Sequence, residues 1–284
     1  MIVITGATGA LNGATAEHLL EHLDPSALAV VARDPARAEH FAARGVQVRR
    51  GDYAEPDTLP AAFAGADQLL LVSSSDPTAD AVALHRNAVD AAVRAGVGRV
   101  LYTSHQGAAH GSPFRPGDDH AVTEDLLRAS GLPWTSLRNG FYAHSTAWLM
   151  GPWQQTGVVS VPVDGPVSWT AREDAAEAAA RILLADEPLD GPVTLTAPDA
   201  PTFAELTTVL AEQAGRPIGF EVLGETEWTA RAVGAGQDPH MVGFLLGMYH
   251  AAGRGLFAGT DPLLGELLGR TPRSVRDVLA AQVS

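Results

Sequence analysis

Residues 2–13 read Ile-Val-Ile-Thr-Gly-Ala-Thr-Gly-Ala-Leu-Asn-Gly. A short β-branched strand breaks at Gly6 into a tight turn and continues into a helix from about Ala10. The apolar positions Ala16, Leu19, Leu20 and Leu23 recur at i, i+3, i+4 and i+7, the period of one helix face. Gly6 and Gly9 let the backbone N–H groups of the turn approach a pyrophosphate, and the helix aims its positive end at the same place. The spacing of the first two glycines is that of G-x-x-G-x-x-G, the short-chain and extended-reductase form, and not that of G-x-G-x-x-G. Asn12 stands where the third glycine belongs, and Gly13 follows one place late. An ordinary strand-turn-helix is the plainer reading of the same residues; its place directly after a strand favours a nucleotide site.

Outward from this start, strands are expected at 27–31, 46–48, 68–73, 99–104 and 133–138, alternating with helices at 35–43, 59–64, 79–95 and 118–129. That alternation predicts an α/β fold, a Rossmann-type doubly wound parallel sheet whose functional groups gather at the carboxyl ends of the strands. Beyond Asn139 the alternation weakens. Helices at 172–184 and 203–214, strands at 193–196 and 218–222 and further helical stretches indicate a smaller α+β lobe. The expected division is 1–150 for the NAD(P)-binding domain and 151–284 for the substrate lobe, with some later segments returning to the first. The stretch 105–117, rich in Gly, Pro, Ser and His, is long enough to suggest a substrate lid.

Composition narrows the function. The 284 residues carry a net charge of -14 with no basic cluster, which argues against nucleic-acid binding. No apolar run reaches membrane-spanning length and no basic leader precedes the first strand, so no membrane association and a cytoplasmic location are expected. With no cysteine, thiolate metal sites and cysteine nucleophiles are excluded; the histidines show no metal-ligand spacing, so no metal site is assigned. All 19 basic residues are arginine. The Tyr-x-x-x-Lys pair of standard short-chain reductases, in which an ammonium lowers a phenol pKa, therefore cannot exist. No G-x-S-x-G elbow suggests a hydrolase.

Several residues carry candidate chemistry. Arg33 closes the second strand, where a carboxylate selects NAD and an arginine accommodates the 2′-phosphate of NADP, so NADP(H) is expected over NAD(H). Asp34 beside it, and the possibility of a solvated turn arginine, count against this. Asp52 and Tyr53 follow the third strand, where adenine contacts occur. Ser73, Ser74 and Ser75 follow the fourth, beside the nicotinamide ribose or simply as a loop and helix cap. His120 and Glu124 share a helix face; His120 is either a proton donor to a substrate oxygen with Glu124 orienting its ring, or a surface ion pair. Asn139, Gly140, Phe141 and Tyr142 end the sixth strand, and the aromatic pair suits either a flat substrate ring or packing between lobes.

The stretches Ile-Thr-Gly-Ala-Thr-Gly, Val-Ala-Arg-Asp-Pro-Ala-Arg-Ala, Arg-Gly-Asp-Tyr, Leu-Leu-Leu-Val-Ser-Ser-Ser, Leu-Tyr-Thr-Ser, Leu-Arg-Asn-Gly-Phe-Tyr and Ser-Trp-Thr-Ala-Arg-Glu-Asp-Ala-Ala together resemble the NmrA-like atypical short-chain dehydrogenases, in particular their bacterial NAD(P)H:quinone oxidoreductase branch. The likeness runs from Met1 to about Arg181 and resumes in Leu-Leu-Gly-Arg-Thr-Pro near the C-terminus. It implies a Rossmann domain holding NADPH and a small lobe, with substrate in the cleft between. It further implies Gly6, Thr8, Gly9 and Leu11 on the phosphate loop, Arg33 at the 2′-phosphate, and Ser73, Ser74 and Thr103 along the nicotinamide half. His120 falls where the quinone reductase branch has histidine, and Asn139, Phe141 and Tyr142 fall at the substrate end as catalytic or ring-holding residues. Asn12 departs from the pattern, and its side chain is expected to obstruct or reposition the dinucleotide.

The functions that follow are an NADPH-dependent reductase of quinones or similar flat aromatic carbonyl compounds, an aromatic-polyketide tailoring enzyme acting on a reduced quinone, or a non-catalytic redox sensor that binds a protein partner. A small aromatic or quinone substrate is the expected partner, and a homodimer is compatible with the sequence.

Overall fold

The computed structural model describes residues 1–74, 76 and 79–283. Its central sheet has seven strands in the order β10-β6-β5-β4-β1-β2-β3. These are β1 (Ile2–Thr5), β2 (Leu28–Ala32), β3 (Gln47–Arg50), β4 (Gln68–Leu71), β5 (Arg99–His105), β6 (Trp134–Asn139) and β10 (Gly191–Leu195). Short strands β7 (Phe141–Tyr142) and β9 (Trp169–Thr170) pair with each other, as do β8 (Val158–Val161) and β11 (Gly219–Val222), both parallel. In the sheet, β1 pairs in parallel with β2 and β4, β2 with β3, and β4 with β5. Strand order therefore reverses direction at β1/β4, the switch point of a doubly wound sheet.

The strands nearest that point are the most apolar. All of Ile2–Thr5 and Leu28–Ala32 are buried, as befits inner parallel strands covered on both faces, whereas β3 at the edge is partly exposed. The helices between strands are α1 (Ala10–Leu20), α2 (Glu39–Ala42), α3 (Leu59–Phe63), α4 (Ala81–Arg94) and α5 (Arg115–Ala129). Helix α4 begins at Asp80, whose side chain accepts from Ala83 N at 3.0 Å, and buries Ala81, His85, Ala88, Val89, Ala91 and Ala92 along one stripe.

The chain forms two compact units, the first made of 1–104, 119–138 and 175–193, the second of 105–118, 139–174 and 194–284. They are interleaved, with residues 175–193 of the later chain lying in the first unit. Helix α8 (Arg172–Leu184) belongs mostly to the first unit, and all of 105–118 and 139–150 to the second. The first unit's core joins β1, β2, β4 and β5 to α3 and α4 through Val3, Val31, Phe63, Leu69, Val89 and Tyr102, among others.

In the second unit the core is aromatic. His105, Phe114, Phe141 and Phe257 meet with centroid separations of 5.2–5.8 Å, and Trp169, Phe203, Tyr249 and Trp228 continue the chain of rings. Half-buried His105 and buried Phe114 anchor the segment 105–117 at both ends in this core, and α5 begins at Arg115, three residues before the expected start.

A second anchor is ionic: Asp174, fully buried, accepts from Arg270 Nη2 at 2.9 Å, Arg273 Nη1 at 2.8 Å and Arg273 N at 2.6 Å. It fastens the segment after α12 (Leu263–Leu268) to the start of α8. No helix among the described residues is long and apolar enough to cross a membrane.

Candidate active site

A cleft of about 420 Å³ lies at the carboxyl ends of β1, β2, β3 and β4, within the first unit. Its floor is set by the turn after β1. Gly6 has φ +66°, and a Cβ there would lie 2.6 Å from Val72 Cγ1; both the backbone conformation and the space require glycine. Gly9 N donates to Gly6 O at 2.9 Å and caps α1 without any side-chain partner, so the first N–H groups of that helix face the cleft as anion donors.

Asn12 does not obstruct this approach. It is buried beneath the loop, with Nδ2 donating to Thr5 O at 2.8 Å, and it does not line the cleft. What it can offer a dinucleotide is its backbone N–H. Close packing of α1 on the turn falls instead to Gly13, where a Cβ would lie 2.8 Å from Ala7 O.

Arg33 lines the cleft at the end of β2, and Arg37, which the sequence reading passed over, lines it too. No carboxylate among the described residues pairs with either guanidinium. Asp34 is not a competing ribose acceptor: its Oδ1 takes the N–H of Ala36 at 3.1 Å and caps the single turn Pro35–Ala38 that carries Arg37. Asp52 and Tyr53 line the cleft beside them. The Tyr53 hydroxyl lies 2.7 Å from Thr5 Oγ1 and donates to Val72 O at 3.1 Å, so it braces the cleft floor.

Ser73 and Ser74 line the opposite end; Ser75 lies outside the described residues. Thr103 is buried and does not line the cleft. It acts through Ser73, whose N–H it accepts at 2.8 Å. Leu11 likewise lies off the cleft, half-buried in α1.

The polar interior behind Ser74 could not be read from spacing alone. Ser74 N donates to His85 Nε2 at 2.8 Å, His85 Nδ1 lies 2.8 Å from Thr123 Oγ1 and 3.4 Å from the Tyr102 hydroxyl, and that hydroxyl lies 2.8 Å from His120 Nδ1. Burial pushes His85 down to about 4 and raises the Tyr102 phenol, so both are neutral near pH 7. Both expectations for Glu124 are corrected. Neither a surface residue nor the orienter of His120, it is buried and accepts from Ser104 Oγ at 2.8 Å, Ser136 Oγ at 2.7 Å and Arg138 Nε at 2.9 Å. It ties α5 to β5 and β6, and Tyr102 holds the His120 ring instead. The helical stripe Ala81, His85, Ala88, Ala92 was the available signal for His85, since it puts the ring on the buried face of α4.

In the second unit Phe141 is 7% exposed and packs within the aromatic core. Tyr142 remains half-buried, its hydroxyl accepting from Asn139 Nδ2 at 3.3 Å, with Arg172 6.0 Å over its ring. Desolvation raises its phenol to about 12, so it holds its proton at neutral pH. Asn139 Oδ1 is buried without a hydrogen-bond partner among the described residues, an acceptor left for a ligand or water.

Two predictions follow from these placements. Asn12→Gly is expected to leave dinucleotide affinity within about two-fold while costing about 1 kcal/mol of stability, because it removes a buried hydrogen bond and adds a helical glycine; calorimetric titration and urea denaturation measure both. Burial also holds His105 down to about 4. The unfolded chain binds protons to both histidines below about pH 6.5 while the folded chain does not, so stability falls as pH drops. Each should contribute a loss of about 2 kcal/mol between about pH 7 and pH 5, read from denaturation midpoints, and His85→Gln should remove its own share.

Comparison with known proteins places this geometry. A family model described as NAD(P)H-binding matches residues 6–186. Quinone oxidoreductase 2 of Escherichia coli is 33% identical over 272 residues, covering 95% of this chain and 94% of that protein. An NmrA-like family domain-containing oxidoreductase of Aspergillus flavus is 30% identical over 285 residues, covering 98% and 93%. The crystal structure of an Escherichia coli NADPH-dependent quinone oxidoreductase complexed with NADPH superposes with a TM-score of 0.91 at 30% identity, covering 100% of both chains. With a glycine turn and helix N-terminus at the switch point of its sheet, this chain belongs to the NAD(P)H-binding family of NmrA-like reductases.

Proposed function

We propose that this protein is an NADPH-dependent reductase of quinones or closely related flat aromatic carbonyl compounds. The observation that carries the reading is the pair of arginines, Arg33 and Arg37, lining the cleft at the end of β2 without carboxylate partners among the described residues. A dianionic 2′-phosphate suits two unpaired guanidiniums, whereas a ribose hydroxyl calls for a carboxylate acceptor. The other end of the ligand fits as well: Gly6 and the N-terminus of α1 would hold the pyrophosphate, and Ser73 and Ser74 the nicotinamide ribose. The relationship to a quinone oxidoreductase supports the acceptor class.

When bound, the reduced nicotinamide supplies a hydride. The chain's own contribution is binding, orientation and proton supply. His120 would donate its ring N–H to the acceptor oxygen, stabilising negative charge as it develops there, and a proton from solvent would complete the reduction. Quinones demand no strong acid, which is compatible with the lack of a Tyr-Lys pair and with the high pKa of the Tyr142 phenol. Asn139, through its unpartnered Oδ1, and Tyr142 would position the aromatic end of the substrate.

The test is a calorimetric titration with NADPH and NADH followed by turnover assays on a panel of quinones. NADPH should bind more tightly; Arg33→Ala should cost about 10- to 100-fold in NADPH affinity, equivalent to one charge-assisted contact, and leave NADH affinity nearly unchanged. Equal affinities in the unmutated protein would sink the cofactor assignment. His120→Ala should leave NADPH affinity within about two-fold and lower turnover by about 10²-fold if the ring acts as a proton donor. Tight NADPH binding with no turnover on any acceptor would favour a redox sensor over an enzyme.

A further inference from the structure

The polar chain behind the cleft makes a specific demand on proton positions. A backbone N–H can only donate, so the 2.8 Å contact from Ser74 N requires His85 Nε2 to be unprotonated. Neutral His85 therefore carries its proton on Nδ1 and donates to Thr123 Oγ1, while the Thr123 hydroxyl spends its own proton on Asp119 O at 2.7 Å. Tyr102 sits among these groups. Its phenol proton cannot go to His85 Nδ1, which is already protonated and lies 3.4 Å away. The shorter of its two contacts with imidazole nitrogens, 2.8 Å, is to His120 Nδ1, and the phenol donates there. That leaves the proton of neutral His120 on Nε2.

We propose that His85 is a positioning residue that, acting through Tyr102, holds His120 in the Nε2–H tautomer and so couples the Ser74 edge of the cofactor cleft to the group offered to the substrate. Its catalytic consequence rests on the role proposed above for His120. The inference itself rests on geometry: both ring nitrogens of a buried histidine are engaged, one by the loop that lines the cleft and the other by the hydroxyls of Thr123 and Tyr102, of which the Tyr102 hydroxyl also meets His120. A packing role would need neither, and an apolar side chain would fill the same stripe of α4.

Full-length protein labelled with ¹⁵N-histidine gives the test, since two-bond ¹H–¹⁵N spectra distinguish the two neutral tautomers; His120→Asn and His85→Gln assign the signals. The unmutated protein should show His85 protonated on Nδ1 and His120 on Nε2. His85→Leu should move His120 to a mixture of tautomers. It should also lower kcat for a quinone such as menadione by about 10- to 100-fold, the scale of a misplaced catalytic group, with the KM for NADPH changed by less than about two-fold. His85→Gln keeps an acceptor for Ser74 N–H and a donor toward Thr123, and should retain the Nε2–H form and most of kcat. Tyr102→Phe should release the tautomer by itself, and adding His85→Leu to it should change nothing further. If His85→Leu does not fold, Tyr102→Phe and His85→Gln carry the test. His120 protonated on Nδ1 in the unmutated protein, or an unchanged tautomer in folded His85→Leu or in Tyr102→Phe, overturns the proposal. Tautomers that respond as expected in a protein with no quinone turnover would support the relay and remove the reductase reading. Turnover with unresponsive tautomers would do the reverse.

Discussion

There is no room for a side chain where β1 turns into α1. A Cβ on Gly6 would enter the Val72 side chain at 2.6 Å, and one on Gly13 would come within 2.8 Å of Ala7 O. These two close approaches bring the start of α1 over the end of β1, at the point where strand order reverses. The cleft, its anion-facing N–H groups and the placement of Ser73 beside Gly6 all depend on that closeness. Asn12 is accommodated because its side chain turns under the loop and bonds to Thr5 O.

Behind the cleft the first unit buries several polar groups, among them His85, Thr123, Glu124 and Ser136. Glu124 is neutralised by Arg138 and fully engaged by Ser104 and Ser136, while His85, Thr123 and Tyr102 form a neutral chain. The two arrangements solve the same desolvation problem differently. The carboxylate is met by a guanidinium and two hydroxyls, and it serves as a structural tie. The imidazole remains neutral because burial pushes its pKa down to about 4, and neutrality is what gives its two nitrogens opposite hydrogen-bonding roles.

The second unit is held by ring contacts and by one buried ion cluster. Asp174 belongs to Ser-Trp-Thr-Ala-Arg-Glu-Asp-Ala-Ala, and Arg270 to Leu-Leu-Gly-Arg-Thr-Pro, two stretches of family resemblance separated by most of the second half of the chain. Their contact gives the pairing of those motifs a physical cause, because a fully buried carboxylate requires its cations and donors in place.

The sequence by itself determined the alternation of strands and helices, the dinucleotide turn at Gly6 and Gly9, the family, and Arg33 as the residue at the end of β2. These are local properties, written in periodicity, glycine spacing and a residue's position after a strand. Tertiary structure decided everything that depends on which side of an element meets which neighbour. It added Arg37 to the cleft because the Asp34-capped turn presents it there, withdrew Phe141 into an aromatic core, and moved Thr103 behind Ser73. It also gave His120 a partner from β5 in place of the residue four positions along its own helix. Spacing on a helix shows which residues share a face, but a carboxylate bonds to the strongest donors that packing brings within reach. For Glu124 those are Arg138 and two serines on neighbouring strands.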